Sequence, residues 1–379
     1  MPRPLGVYVH FPYCTHRCPY CDFAVTTEAV PGERRYARAV LAELALRAPA
    51  FDGLAPVSLY LGGGTPSLWD PDEVADVIAA IRERLRFPSD AEVTIEANPE
   101  SCDRERLRRL RAAGVNRVSV GVQSFDPGVL AKLGRRHGPD AAEAAIRAAA
   151  DEVGNASVDL IYGARRSTVE IARADAARAV GAGAVHVSAY QLTLDAEVLA
   201  EEVPLARMRR EGRLPLPTED DAARQGAAIR AALRRAGLRR YEISNFARPG
   251  RESVHNRLYW EGESYLGLGA GAYGCLRADG GALRYGNARD ARAYMELVLG
   301  ARIPTAEEDH VDARAARNER LMLALRTRRG ADLDVLSAPQ AREADEAVRR
   351  RLAVRHGGRL VLTSRGMDLH SALAERLFE

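Results

Sequence analysis

The sequence predicts an α/β fold, a parallel sheet wrapped by helices, with a smaller and mostly helical C-terminal module. Two observations lead there. Through the first half of the chain, short β-branched or apolar runs alternate with longer amphipathic stretches, six strand-then-helix units in succession. Parallel neighbours need a crossover connection, and the helix supplies it. After Gln191 the pattern breaks, and the chain closes on a helix, a short hairpin and a second helix.

In order, the strand candidates are Val7–Phe11, Val57–Leu61, Glu92–Glu96, Arg117–Val122, Ser157–Ile161 and Val185–Tyr190. The amphipathic helices between them are Glu33–Arg47, Pro71–Leu85, Arg104–Ala113, Pro139–Asp151 and Val169–Val180. Glu201–Pro217 is charged and proline-bearing and reads as a connector. Thr218-Glu-Asp-Asp opens a capped helix to about Ala236, and Tyr241–Phe246 reads as a further strand. An irregular segment to Gly286 follows, and helical composition returns from about Thr305. The tail reads as helix Gln340–Leu352, hairpin Arg355–Thr363 and helix Gly366–Phe378, a winged-helix-like arrangement. The expected divisions are a core over 1–245, an irregular segment over 246–304 that completes it, and the C-terminal module over 305–379.

A chain of 379 residues can bury a sizeable core. The formal charge of +3 is too balanced to argue for a nucleic-acid partner or a polybasic membrane patch. Lys132 is the single lysine, so arginine carries almost all the positive charge. The longest nearly uncharged apolar stretch, Tyr265–Leu276, is too short and glycine-rich to span a bilayer. Met1-Pro-Arg-Pro-Leu5 lacks the apolar region of a secretory leader. Five cysteines, three of them clustered, do not look like a disulfide framework. Reduced thiols fit a cytoplasmic protein.

The clustered thiols are the strongest chemical signal. Cys14-Thr-His-Arg-Cys18-Pro-Tyr-Cys21 sets three of them at CxxxCxxC spacing, directly after the first strand. Structural zinc closes with four ligands, so three cysteines make an awkward zinc site unless His10 or His16 completes it. They make a natural [4Fe–4S] site in which one iron stays open to a small molecule. An open iron is what S-adenosylmethionine (SAM) chemistry needs, because the cluster passes one electron to a chelating sulfonium.

Chemistry in parallel α/β folds gathers at the C-terminal ends of the strands, and further candidates fall there. Gly62-Gly-Gly-Thr65 follows the second strand, Glu96 closes the third, Gln123 the fourth, and Asp159 lies near the end of the fifth. A glycine loop lets backbone approach a ligand or simply makes a tight turn. Glu96 suits a ribose diol or a cationic ligand atom, and Arg135 could pair a carboxylate bidentately. A solvated strand end is the alternative for Glu96, and of these candidates Arg135 reads most readily as surface. His255-Asn-Arg-Leu-Tyr-Trp260 joins an imidazole to two aromatics. It reads either as a packed core histidine or as an axial haem ligand with Tyr259 and Trp260 as a wall. Cys102 and Cys275 read as isolated packing residues.

Taken together the chain resembles the radical-SAM family of oxygen-independent coproporphyrinogen III oxidase-like proteins, and within it the haem-chaperone branch. The resemblance is carried in order by Tyr8-Val-His-Phe-Pro-Tyr-Cys14, Gly62-Gly-Gly-Thr-Pro-Ser67, Glu96-Ala-Asn-Pro99 and Gly121-Val-Gln-Ser-Phe125. It continues through Leu133-Gly-Arg135, Asp159-Leu-Ile-Tyr-Gly163, Tyr190-Gln-Leu-Thr193, Tyr241-Glu-Ile-Ser244 and the HNxxYW segment. It implies a partial (β/α)6 barrel and cluster ligands Cys14, Cys18 and Cys21. It also implies SAM contacts at Tyr8, Tyr20, Gly63, Gly64, Thr65, Glu96, Gln123, Arg135 and Asp159, and haem contact at His255. The implied partners are haem, haem-acceptor proteins such as respiratory enzymes, and an electron donor for the cluster. Two departures stand out. Phe23 occupies the position where the oxidases of the family carry a further cysteine, which argues for the chaperone branch over radical decarboxylation of porphyrinogen propionates. Gly163-Ala-Arg-Arg-Ser167 replaces a glycine-proline-glycine turn.

Overall fold

A computed structural model describes residues 2–32, 34–194, 203–278 and 280–377. Six strands run parallel and in chain order, β1 (Pro4–Phe11), β2 (Ala55–Gly63), β3 (Glu92–Ala97), β4 (Arg117–Gln123), β5 (Ala156–Tyr162) and β6 (His186–Gln191). The crossovers carry α1 (Arg35–Arg47), α2 (Pro71–Leu85), α3 (Arg104–Ala112), α4 (Pro127–Lys132), α5 (Pro139–Glu152) and α6 (Val169–Gly181). The starts of these helices are set locally. Asp70, Asp103, Asp126 and Thr168 each accept a backbone N–H of the first turn of the helix that follows.

Strand β4 shows how one sequence builds both a core and a cavity. Val118, Val120 and Val122 point outward and are fully buried in the main apolar cluster beneath the helices. Burial of such side chains contributes roughly 1.5–3 kcal/mol each. The alternate residues Arg117, Ser119, Gly121 and Gln123 point inward and line a cleft.

The sheet does not close. Beyond β6, strands β7 (Arg239–Arg240) and β8 (Asn245–Ala247) add antiparallel pairing, with β8 against β6. At the other edge β9 (Ser264–Leu268) runs parallel to β1, and β10 (Tyr273–Ala278), β11 (Gly281–Asn287) and β12 (Thr305–Val311) extend it antiparallel. The result is one open twelve-stranded sheet whose centre is a partial (β/α)6 barrel. Helices α7 (Pro204–Arg210), α8 (Glu219–Arg235), α9 (Val254–Glu261) and α10 (Ala291–Leu299) pack around it. The C-terminal region has its own apolar cluster, including Leu321, Leu325, Leu360 and Leu362. It comprises α11 (Ala313–Leu325), β13 (Ala331–Asp332), α12 (Ala338–Arg349), β14 (Ala353–His356), β15 (Arg359–Leu362), α13 (Ser364–Asp368) and α14 (His370–Leu377), with the strands in order β13-β15-β14.

The structure departs from the sequence reading in four places. Of the expected strand Tyr241–Phe246, Tyr241–Ser244 form the turn between β7 and β8, and only Asn245 and Phe246 are strand, within β8. The buried Glu242 carboxylate folds the turn, accepting from Ser244 N–H and Asn245 Nδ2 at 2.7 Å each and pairing with Arg326 at 3.0 Å. The segment read as irregular to Gly286 is instead α9, β9, β10 and most of β11. Its glycines permit close strand contact: a Cβ on Gly267 would sit 1.9 Å from the Tyr273 carbonyl oxygen. The stretch from Thr305 opens with β12, which pairs into the large sheet before the second core begins. Finally, the last helix divides at Leu369 into α13 and α14. Glu33, Glu201 and Phe378, which bound expected elements, lie outside the described residues; within the connector, α7 is helical.

Candidate functional site

The three clustered cysteines sit on a loop that closes on itself. Tyr13 and Thr26 bridge its neck, where the Cys14 N–H donates to Thr26 O at 2.9 Å and the Thr26 N–H to Pro12 O at 2.8 Å. Within it the Cys21 N–H donates to Cys18 O at 3.1 Å. No disulfide joins any of these thiols, and Cys14, Cys18 and Cys21 all line one cleft of about 370 Å³ at the C-terminal ends of the strands. Burial pushes the Cys14 thiol above its usual range and the Cys21 thiol up to about 11. For Cys14 and Cys21 this favours the neutral thiol, and a bound cation would draw the thiolates out.

The donor set fits a cluster better than a lone ion. Among the described residues no three His, Cys, Asp or Glu side chains converge to hold one metal ion. His10 is buried with both ring nitrogens occupied, by Tyr8 OH and by Ala24 O at 2.9 Å each. His16 rests its Nε2 against Gly134 O at 3.2 Å and Cys18 Sγ at 3.6 Å.

A polar relay runs from the thiols along the rim. Thr65 Oγ1 donates to Cys14 Sγ at 3.5 Å and accepts from Asn98 Nδ2 at 2.9 Å. Arg135 donates to Asn98 Oδ1 at 2.6 Å, to Gly121 O at 2.7 Å and to Cys18 Sγ at 3.7 Å. Its Nε is buried without a partner and is a donor left for a ligand. Gly63, at φ 111°, turns its N–H onto Glu96 Oε2 at 3.0 Å, while Tyr60 OH donates to Oε1 at 2.8 Å.

Two carboxylates face the interior. Burial pushes Glu96 up to about 7, with the Tyr60 hydrogen bond opposing and the nearby Asp159 reinforcing the shift. Burial also raises Asp159, against hydrogen bonds from Ser188 and Ser119 and the charge of Arg117. Arg117 is almost fully buried between them, and its Nε lacks a partner. The arrangement can bind a small molecule carrying both cationic and anionic groups.

The structure brings together every candidate residue except Tyr8 and His255. Cys14, Cys18, Cys21, Tyr20, Gly63, Gly64, Thr65, Glu96, Gln123, Arg135 and Asp159 all line the cleft. Tyr8 and His255 instead join an aromatic stack below it, where Tyr60 lies 6.1 Å from Tyr8 and 5.0 Å from His255 between ring centroids. His255 is 2% exposed, its Nδ1 paired with Ser58 Oγ and its Nε2 with Tyr259 OH at 2.9 Å each. Burial lowers its imidazole to about 3. As an axial ligand it would have to give up one of these hydrogen bonds, because iron takes a single ring nitrogen and the other keeps its partner. The segment places Asn256 alone on the cleft, while Glu92 holds the start of α9 by accepting the Val254 and His255 N–H groups at 3.0 Å each.

Sequence reasoning passed over Arg117, Ser119, Ser188 and Asn98, all on the cleft wall. The signal was present in β4, where polar or glycine residues at every second position oppose valines. The Gly163–Ser167 departure is stable for a specific reason. Gln225 of α8 accepts from Gly163 N–H and Ser167 Oγ at 2.8 Å each and donates to Ser167 O at 3.1 Å, so side chains hold the turn.

Residues 8–175 match the Radical SAM superfamily. The chain is 39% identical over 379 residues to the heme chaperone HemW of Mycobacterium tuberculosis, covering 99% of this chain and 95% of that one. It is 35% identical over 302 residues to the heme chaperone HemW of Escherichia coli, covering 77% and 76%. Among solved structures, coproporphyrinogen III oxidase (HemN) from Escherichia coli, a radical SAM enzyme, superposes with a TM-score of 0.80. That match covers 99% of this chain and 90% of the other at 22% identity, which establishes the shared fold.

Proposed function

Because this chain belongs to the HemW heme-chaperone family of the radical SAM superfamily, we propose that it binds haem and delivers it to acceptor proteins, with respiratory enzymes as the expected class. Cys14, Cys18 and Cys21 would hold a [4Fe–4S] cluster, which when bound supplies one electron from a separate donor to a sulfonium at its open iron. The wall formed by Gly63, Gly64, Thr65, Glu96, Gln123, Arg135 and Asp159, with Tyr20, would receive SAM. Glu96 attracts a cationic group, and Arg135 pairs a carboxylate. The observation that carries this reading is the meeting of the three thiols with that wall on one cleft.

Phe23, on the cleft and 54% exposed, supports the chaperone reading over the porphyrinogen oxidase reading, because a cysteine is absent there. No helix among the described residues is long and apolar enough to cross a membrane. Thiols that must stay reduced support a cytoplasmic setting.

Haem titration of the anaerobically reconstituted protein tests the proposal. A saturable Soret band is expected, together with transfer of that haem to an apo-haemoprotein. An unchanged Soret region, or anaerobic formation of protoporphyrinogen from coproporphyrinogen III, would overturn it.

The Glu96 shift makes a second prediction, with the sign set by the carboxyl's charge. Above about pH 7 the group is ionised and attracts a cation; below it the group is neutral and the attraction is lost. SAM affinity is therefore expected to fall on going from about pH 8 to about pH 6, by up to roughly tenfold per unit below the transition. Glu96→Gln should bind weakly with a flat profile. Calorimetric titration at the two pH values checks it.

A further inference from the structure

A second cleft, of about 650 Å³, lies between α8 and the C-terminal hairpin β14–β15. Its size falls within the roughly 300–1,000 Å³ of small-molecule sites. The walls include apolar Leu238, Phe246, Val354 and Val361. Val354 is 47% exposed and presents apolar surface to the cleft.

The charge around this cleft is one-sided. Arg230 and Arg240 share a single carboxylate, Asp368, at 3.0 and 3.3 Å. Arg234, Arg239 and Arg328 also line it, and among the described residues their side chains have no hydrogen bond or ion pair. Burial lowers the Arg240 guanidinium and the nearby Arg230 adds to that shift, while the Asp368 carboxylate opposes it. Guanidinium forks over an apolar floor suit a ligand with an apolar body and carboxylates.

The same cleft offers soft axial donors. His356, at the end of β14, is exposed and makes no side-chain hydrogen bond among the described residues. Met367 places a buried thioether on the same wall. The competing locations are poorer. The cleft of about 510 Å³ beside Trp260 carries Arg317 and Arg320 but no His, Met, Cys or Tyr. His255 has both ring nitrogens engaged.

Resting on the haem-chaperone reading, we infer that haem is seated in this arginine-lined cleft, which shares no lining residue with the thiol cleft, with His356 as axial ligand and Arg234, Arg239 and Arg328 facing the propionates. Cluster chemistry and cargo then occupy separate sites. The C-terminal module becomes part of the cargo site.

Haem titration of the full chain, followed at the Soret band, tests the inference with His356→Ala, with the double variant Arg234→Glu/Arg328→Glu, and with haem dimethyl ester as a carboxylate-free probe. The double variant is expected to bind haem roughly tenfold more weakly or worse, and the wild type to bind the ester with a similar loss. His356→Ala is expected to shift the Soret maximum and weaken binding. Circular dichroism confirms that each variant is folded; should one fail to fold, the wild type with the ester decides. A wild-type Soret band left unchanged in position and affinity by these substitutions, or ester binding as tight as haem, overturns this seat while leaving the chaperone reading intact. Absence of any wild-type Soret band overturns both.

Discussion

Serine in place of Cys14, Cys18 or Cys21 is expected to remove the cluster iron while leaving the fold unchanged. A hydroxyl is a far poorer ligand for iron than a thiolate, and each thiol serves a different iron, so no neighbour substitutes for the lost one. The scaffold is indifferent to the change because backbone bonds hold the loop. The Tyr13–Thr26 bridge and the Cys14 and Thr26 N–H bonds close its neck without any sulfur. Iron and sulfide analysis after anaerobic reconstitution, with the visible absorption of the cluster, measures the loss, and far-UV circular dichroism measures the fold. A serine variant that retains wild-type iron would remove that cysteine from the ligand set. Cys102 and Cys275 are controls: both are buried away from the cleft, and their replacement by alanine should leave the iron content unchanged.

Glu43→Ala is expected to destabilise the protein by about 3–5 kcal/mol, the usual consequence of stranding a buried partner charge. Glu43, on α1, is fully buried. It accepts from Arg47 Nε and Asn287 Nδ2 at 2.7 Å each, and from the Gly269 N–H and Tyr294 OH at 2.8 Å each. Arg47 in turn donates to Asn287 Oδ1 at 2.8 Å and Thr305 Oγ1 at 2.9 Å, and its guanidinium lies 3.7 Å from the Tyr285 ring centroid. This network fastens α1 to the β9–β10 turn, to α10 and to the β11–β12 edge, so it ties the added strands to the barrel. Burial raises the Glu43 carboxyl, while Arg47 and the Gly269 N–H oppose the shift. Removing the carboxylate leaves the Arg47 charge buried and several donors unsatisfied. Urea unfolding measures the effect, and Glu43→Gln, which keeps some acceptors, should lose less. A Glu43→Ala midpoint equal to that of the wild type would show that the network contributes nothing net.

The barrel strands and their helices were legible because their periodicities are local: two for β4, near 3.6 for the helices, with capping residues at their starts. The thiol loop was legible because a short run supplies all of its donors. The added strands were not legible. Their residues, Gly267 and Gly274 among them, look like turn formers in one dimension and prove to be points of close strand contact. His255 shows the same limit from the other side. An imidazole beside aromatics reads more readily as packing than as a ligand, and its pairing with Ser58, distant in sequence, is not visible in one dimension.

By itself the sequence determined the parallel α/β core, the rim of candidate residues at its strand ends and the spacing of the three thiols. Each depends on contacts or patterns within a few residues along the chain. Tertiary structure alone decided that Tyr8 and His255 lie beneath the cleft, that Glu43 joins segments far apart in sequence, and that arginines from α8, β7 and the α11–β13 turn surround the cleft bordered by β14. Those outcomes depend on which distant groups become neighbours on folding, and burial then sets their charge and their partners.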